Sequence, residues 1–205
     1  MIENGMIKVC PALASISMAR TIVKKDVLAE QLLKTLKGSN ALVLTGPDTC
    51  DWRANSEIGK TYAVRNKVIP RLQQKGHNIT YLSLQGFLLM IGDIFSSLQV
   101  QGAVDFTDIK KLTNLIGPDS IYNHIFIDEA HHLLPTEAGQ SKSEFNQIRL
   151  QLWQAIEQSI KAGKKIVFIT AWHPQYLFYR RCLTNQTINQ YFFTAPTLEL
   201  LSPYS

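Results

Sequence analysis

Residues 44–63 read LTGPDTCDWRANSEIGKTYA, and the fold turns on whether this stretch is a phosphate-binding loop. Gly46-Pro47 comes directly after an apolar run, as the opening of such a loop does, and Gly59-Lys60-Thr61 has the residues of its close. The spacing departs from G-x-x-x-x-G-K-[ST]: twelve residues separate the two glycines where the motif has four. Read in the register Ala54 to Thr61, ANSEIGKT, the four-residue spacing returns with Ala54 in place of the first glycine. Taken alone, Gly59-Lys60-Thr61 is also a plain helix start, so its neighbours decide.

Upstream, Asp26 is placed to cap a helix in which Val27, Leu28, Leu32, Leu33 and Leu36 recur at helical spacing, with Gly38 at its end. Ala41 to Leu44 then forms a short strand. Downstream, a helix from about Lys60 is expected to stop or kink before Pro70, whose ring removes a donor and restricts Ile69. A second strand is predicted over 78–84, an apolar helix over 87–98, and a further helix over 105–116 closed by Gly117-Pro118. The third strand, 122–127, runs straight into Asp128-Glu129, and 135–143 is a polar loop. Ser143 is placed to cap a long helix through Lys161 whose Phe145, Ile148, Leu152, Ile156 and Ile160 share one face, ending at Gly163. Strands over 165–170 and 197–201 complete the series, with no internal repeat or low-complexity segment.

Strands alternating with helices imply parallel pairing, right-handed crossovers and helices on both faces of one sheet. Ligands of such sheets bind beyond the carboxyl ends of the strands. Gly46 after the first strand, Asp128-Glu129 after the third and Thr170 at the end of the fourth all fall on that edge. A triphosphate there needs backbone N–H groups, which Gly59 lets approach closely, and a cation, which Lys60 supplies. Thr61 offers a hydroxyl to magnesium, and Asp128, at the end of the apolar Ile125-Phe126-Ile127, a carboxylate. Glu129 is placed to polarise an attacking water, and Thr170 to hydrogen-bond the γ-phosphate or that water. Against these roles, Asp128-Glu129 is also readable as a strand-end turn and Thr170 as a satisfied strand hydroxyl.

The series ALVLTGP, GKTYAV, HIFIDEAHHLLP, KKIVFITAWHP resembles the additional-strand P-loop ATPases over about residues 26–174. That group includes AAA+ proteins, FtsK-type DNA translocases and zonula occludens toxin-like phage assembly ATPases. GKTYAVRNKVIPRLQQKG is most similar to the toxin-like group, and IDEAHHLLP to that group and the translocases. The resemblance implies a three-layer α/β P-loop NTPase fold with a mainly parallel five-stranded sheet in the order 5-1-4-3-2. It implies ATP and Mg2+ as ligands, and a finger role toward a neighbouring subunit for Arg180 or Arg181, which are equally readable as a surface pair. The stretched loop, with Asp48, Asp51, Trp52 and Glu57 inside it, departs from the pattern. So does the expected absence of a C-terminal helical lid. Length is set against a two-domain DEAH helicase.

At 205 residues, 45% hydrophobic and 18% charged, one core-burying domain over 1–205 is expected, with 1–25 as an N-terminal extension. The net charge of +5 permits nucleic acid, yet the lysines fall in scattered pairs such as Lys24-Lys25, Lys110-Lys111 and Lys164-Lys165. Three widely spaced cysteines, Cys10, Cys50 and Cys182, without a CxxC pair point to a reducing, cytoplasmic setting. No apolar run approaches the roughly 18 residues of a membrane span, and residues 9–19 fit a signal peptide poorly. His131 and His132 are adjacent and so point apart, which disfavours a shared metal with His173 or Cys182; Trp172, Tyr176, Phe178 and Tyr179 fit core or interface. The leading expectation is Mg-dependent ATP hydrolysis driving a conformational or assembly step, with a protein partner or homo-oligomer. The rivals are a degenerate P-loop scaffold that hydrolyses nothing and a nucleic-acid-stimulated motor subunit.

Overall fold

Six strands form one sheet in the computed structural model, which describes residues 20–46, 58–84, 109–133, 143–171, 191–192 and 194–201. They are β1 (Arg20–Val23), β2 (Ala41–Thr45), β3 (Ile79–Ser83), β4 (His124–Asp128), β5 (Lys165–Ile169) and β6 (Thr197–Leu200). Their order is β1-β6-β2-β5-β4-β3, with every neighbouring pair parallel. Five of these reproduce the expected order 5-1-4-3-2. The sheet gains a sixth, β1, whose residues 20–23 fall within the expected N-terminal extension 1–25. Val23 of this strand is buried, while Thr21 and Ile22 are exposed, so a short edge strand carries too little apolar pattern to be seen in advance.

The helices are α1 (Leu28–Gly38), α2 (Lys60–Ala63), α3 (Ile69–Gln74), α4 (Ile109–Ile116) and α5 (Ser143–Lys161). Alternation along the strands sorts them into two layers. Leu42, Leu44, Phe126, Val167 and Ile169 face α1, α2 and α3, where Leu28, Leu32, Leu36, Ala63 and Leu72 meet them. Val43, Ile125, Ile127, Ile166 and Phe168 face the opposite way, onto Leu112 and Ile116 of α4 and Leu152, Trp153, Ile156 and Ile160 of α5. β2 and β4 are buried at every residue, the pattern of central parallel strands covered on both faces. Each fully buried Leu or Phe here contributes about 1.5–3 kcal/mol.

Local predictions meet corrections at two helix starts. Asp26 does not cap α1: Val27 occupies that position without a side-chain cap bond, and Asp26 instead pairs with Lys67 at 3.1 Å. The turn at 25–27 carries the Asp26 side chain out to the surface rather than back over the first helical N–H groups. At Pro70, where a stop or a kink is expected, the helix is disturbed without ending. The chain does not stop there, because a π-helical turn, Val64–Val68, joins α2 to α3 and the Ile69 N–H reaches back five residues to the Val64 carbonyl. Widening the helix by one residue moves the preceding carbonyls away from the proline ring. Ser143, expected to precede α5, is its first residue. The predicted helix over 87–98, the start of the one over 105–116, the polar loop over 135–142 and the stretched segment 47–57 lie outside the described residues. Among the described residues no helix is long and apolar enough to cross a membrane.

Candidate functional site

The carboxyl edge of the sheet collects the chemistry. β2 ends in Thr45 and the buried Gly46, β4 in Asp128, and β5 in Thr170, whose N–H donates to the Leu44 carbonyl at 3.0 Å and ties the β5 end to β2. α2 begins on this edge. Its N-cap, Gly59, has φ 78° and ψ 34°, a left-handed conformation that a side chain resists, and the Ala63 N–H bonds the Gly59 carbonyl at 2.8 Å. A Cβ placed on Gly59 would stand 3.5 Å from Lys25 Nζ, so a second ammonium approaches this helix start.

Lys60 follows and is buried, with 5% of its surface exposed. Burial lowers its pKa to about 8, against the opposing pull of the Glu129 and Asp128 carboxylates. Thr61 bridges the two halves of the site: its hydroxyl donates to Asp128 Oδ2 at 2.7 Å. The same oxygen accepts a short hydrogen bond from the Tyr81 hydroxyl of β3. Burial first, and then the Asp128 charge, push the Tyr81 hydroxyl well above its ordinary pKa, so it remains a donor. Arg65 lies over the Tyr81 ring, 5.4 Å from its centre.

Glu129 stands at φ 55°, in the left-handed region, where a non-glycine backbone is strained by roughly 1–2 kcal/mol. Its N–H donates to Asp128 Oδ1 at 2.9 Å, which holds the turn, and a 3₁₀ turn, Ala130–Leu133, follows. Burial, then the Asp128 charge, raise the Glu129 carboxyl pKa, while Lys60 lowers it. The buried His131 places Nδ1 at 3.4 Å from Glu129 Oε2. Trp153 of α5 donates from Nε1 to the Leu133 carbonyl at 2.8 Å and anchors the far end of the turn.

Sequence-predicted Lys60, Thr61, Asp128 and Glu129 therefore meet, with Gly59 under them and Gly46 and Thr170 at neighbouring strand ends. Arg180 and Arg181 lie outside the described residues, as do His173, Cys182, Trp172 and the aromatic group 176–179. Nothing in the sequence marks Tyr81, Lys25 or Arg65 for this site. An isoleucine-threonine-tyrosine strand has no motif, and only the strand register, which sets Ser83 opposite Asp128, brings Tyr81 to the carboxylate.

No protein-family model and no curated protein matches the chain. Solved structures do match it. A DNA replication initiation factor superposes with a TM-score of 0.53 at 13% identity, over 86% of this chain and 44% of its own. The replication initiator DnaA bound to AMPPCP and single-stranded DNA gives 0.51 at 13% identity, over 83% and 44%. AMPPCP-bound DnaA from Aquifex aeolicus gives 0.51 at 12% identity, over 88% and 47%. The chain spans less than half the length of these proteins. At such identity the likeness is one of fold: the chain shares with these proteins an α/β architecture of a parallel sheet between two layers of helices.

Proposed function

We propose that the chain binds ATP with magnesium and hydrolyses it to drive a conformational or assembly step. The observation that carries this reading is the Thr61 to Asp128 bond, which joins the hydroxyl after Lys60 to the carboxylate at the end of β4. Octahedral magnesium holds adjacent oxygen ligands roughly 2.9 Å apart, and these two oxygens stand 2.7 Å apart, so the donor pair fits that ion. Magnesium held by Thr61 and Asp128 would offset charge on the β- and γ-phosphates.

The remaining roles belong to the chain. Backbone around Gly46 and Gly59 cradles phosphate, Lys60 offers its ammonium to the terminal phosphates, and Thr170 bonds the γ-phosphate or the water beside it. Glu129 orients that water and accepts its proton, a task favoured by a carboxyl made more basic by burial. The family resemblance supports a role for Arg180 or Arg181 toward a neighbouring subunit's site. The AMPPCP in two proteins of the same fold supports a nucleotide here. The single-stranded DNA in one supports the second reading, a nucleic-acid-stimulated motor subunit. A cytoplasmic location rests on three widely spaced cysteines in the sequence without a CxxC pair.

Thermal titration with ATP, with and without magnesium, tests binding, and phosphate release tests turnover. Glu129→Gln should keep the magnesium-dependent shift and slow hydrolysis by about 10²–10⁴-fold; Asp128→Asn should lose the magnesium-dependent part of the shift. A protein that shifts with ATP but hydrolyses none, with or without DNA, is the scaffold instead.

A further inference from the structure

The opposite edge of the sheet holds a different collection of charge. At the amino ends of β4 and β5, a cleft of about 460 Å³ is lined by Lys34, Lys37, Lys75, Lys165, His77 and His124. These residues are far apart in sequence and come from four places: α1, the turn between α3 and β3, and the first residues of β4 and β5, which are register partners. Lysines that are dispersed along the chain thus line one cleft, although of the paired lysines only Lys165 is among them. Glu30 is the single acidic residue of the lining.

Several features set this cleft apart from a solvated lysine face. Lys165 is held rather than free: its Nζ donates to Asn40 Oδ1 at 2.7 Å and to the Ser39 carbonyl at 3.4 Å, both neutral acceptors that leave its charge uncompensated. The His77 and His124 rings pack at 4.5 Å between centres, and His124 is buried with Nδ1 at 2.9 Å from Asn123 Oδ1. Lys37 and Lys75 lie at the carboxyl ends of α1 and α3, and Lys165 reaches the Ser39 carbonyl just past α1, so the cleft also gathers the partial negative charge of two helix ends.

From this geometry we infer that the cleft is a second anion site, which takes the phosphate group of a phosphate ester. Four ammonium groups against one carboxylate exceed the charge of a single carboxylate ligand and suit a multiply charged anion. The lining contains lysine and no arginine. Lysine meets phosphate as a point charge, whereas the planar two-point recognition of a carboxylate favours arginine. The phosphate comes either from a free nucleotide-sized ester or from a nucleic-acid backbone. The site is independent of the proposed ATP site: His124 and Asp128 are four residues apart on β4, roughly 13 Å at strand rise.

The test is made in the Lys60→Ala background, so that the other edge does not report. Pyrophosphate binding is measured by calorimetry, and a fluorescein-labelled single-stranded DNA 12-mer by anisotropy. Lys34→Gln with Lys75→Gln, both exposed positions, should weaken binding at least tenfold with an unchanged thermal midpoint, while Lys110→Gln on α4 should not. Loss for pyrophosphate alone identifies a small ester as the source; loss for the 12-mer, with a shallower salt dependence, identifies nucleic-acid backbone. Equal binding by the double variant and the Lys110 variant overturns the site. So does binding of polyglutamate in the absence of binding by either phosphate probe, which would mark an acidic protein segment as the occupant.

Discussion

A lysine with 5% of its surface exposed, beside two carboxylates, separates a binding role from a structural one by the sign of its stability effect. Burial outweighs the attraction of Glu129 and Asp128, since the Lys60 pKa falls to about 8. The ammonium therefore destabilises the empty fold, by about 1–3 kcal/mol at 1.36 kcal/mol per pKa unit. Lys60→Met should raise the melting temperature of the nucleotide-free protein and abolish the shift with ATP, which in the native sequence reaches roughly 2.7 kcal/mol at 100 times the dissociation constant. A structural lysine would lower the midpoint instead. His124 gives the pH dependence. Burial, then the charges of His77 and Lys165, lower its pKa to about 4. The unfolded chain takes up this proton near pH 6.5 and the folded chain only near 4, so stability falls as pH drops through that window and is fully present above it. The loss is up to about 3 kcal/mol. Chemical denaturation at pH 7, 5.5 and 4.5 should show a decline that His124→Gln lacks.

At the scale of elements, α5 reaches the turn after the site through the hydrogen bond from Trp153 to the Leu133 carbonyl. Trp153→Phe keeps the ring against Phe168 but leaves that buried carbonyl unpaired, a loss of about 1–3 kcal/mol. Because the 3₁₀ turn begins immediately after Glu129, hydrolysis should fall further than ATP affinity, measured as turnover at saturation against the thermal-shift midpoint. The three central strands were legible from sequence because parallel strands covered on both faces read as unbroken apolar runs, as Ala41 to Leu44, Ile125 to Ile127 and Ile166 to Ile169 do. β1 was not, since this edge strand buries Val23 but leaves Thr21 and Ile22 exposed. The π turn was not either: Pro70 signals a disturbed helix, but whether the chain breaks or widens depends on Val64, Val68 and Leu72 holding their places against the sheet. Within the site, Lys60, Thr61, Asp128 and Glu129 follow from motif and strand end, while Tyr81 and Lys25 are brought in by tertiary register.

For the molecule as a whole, two charged regions sit at opposite ends of one parallel sheet, and the arginines proposed to complete catalysis belong to a neighbouring copy. Hydrolysis per chain should therefore rise with protein concentration, and Arg180→Ala or Arg181→Ala should suppress the rise. A flat dependence would mark a self-contained monomer. Single-stranded DNA that stimulates turnover at physiological salt, with no concentration dependence in its absence, would favour the motor reading.

The left-handed backbone at Glu129 sets stability and chemistry against each other within a single codon. Glycine, and to a lesser degree asparagine, relaxes that conformation, so the replacements that most ease the fold are ones that remove the proposed base. A lineage released from the need for turnover would meet no opposing pressure at this position. Among descendants that keep Lys60 and Thr61 only to hold nucleotide, residue 129 is where drift toward glycine or asparagine should appear first.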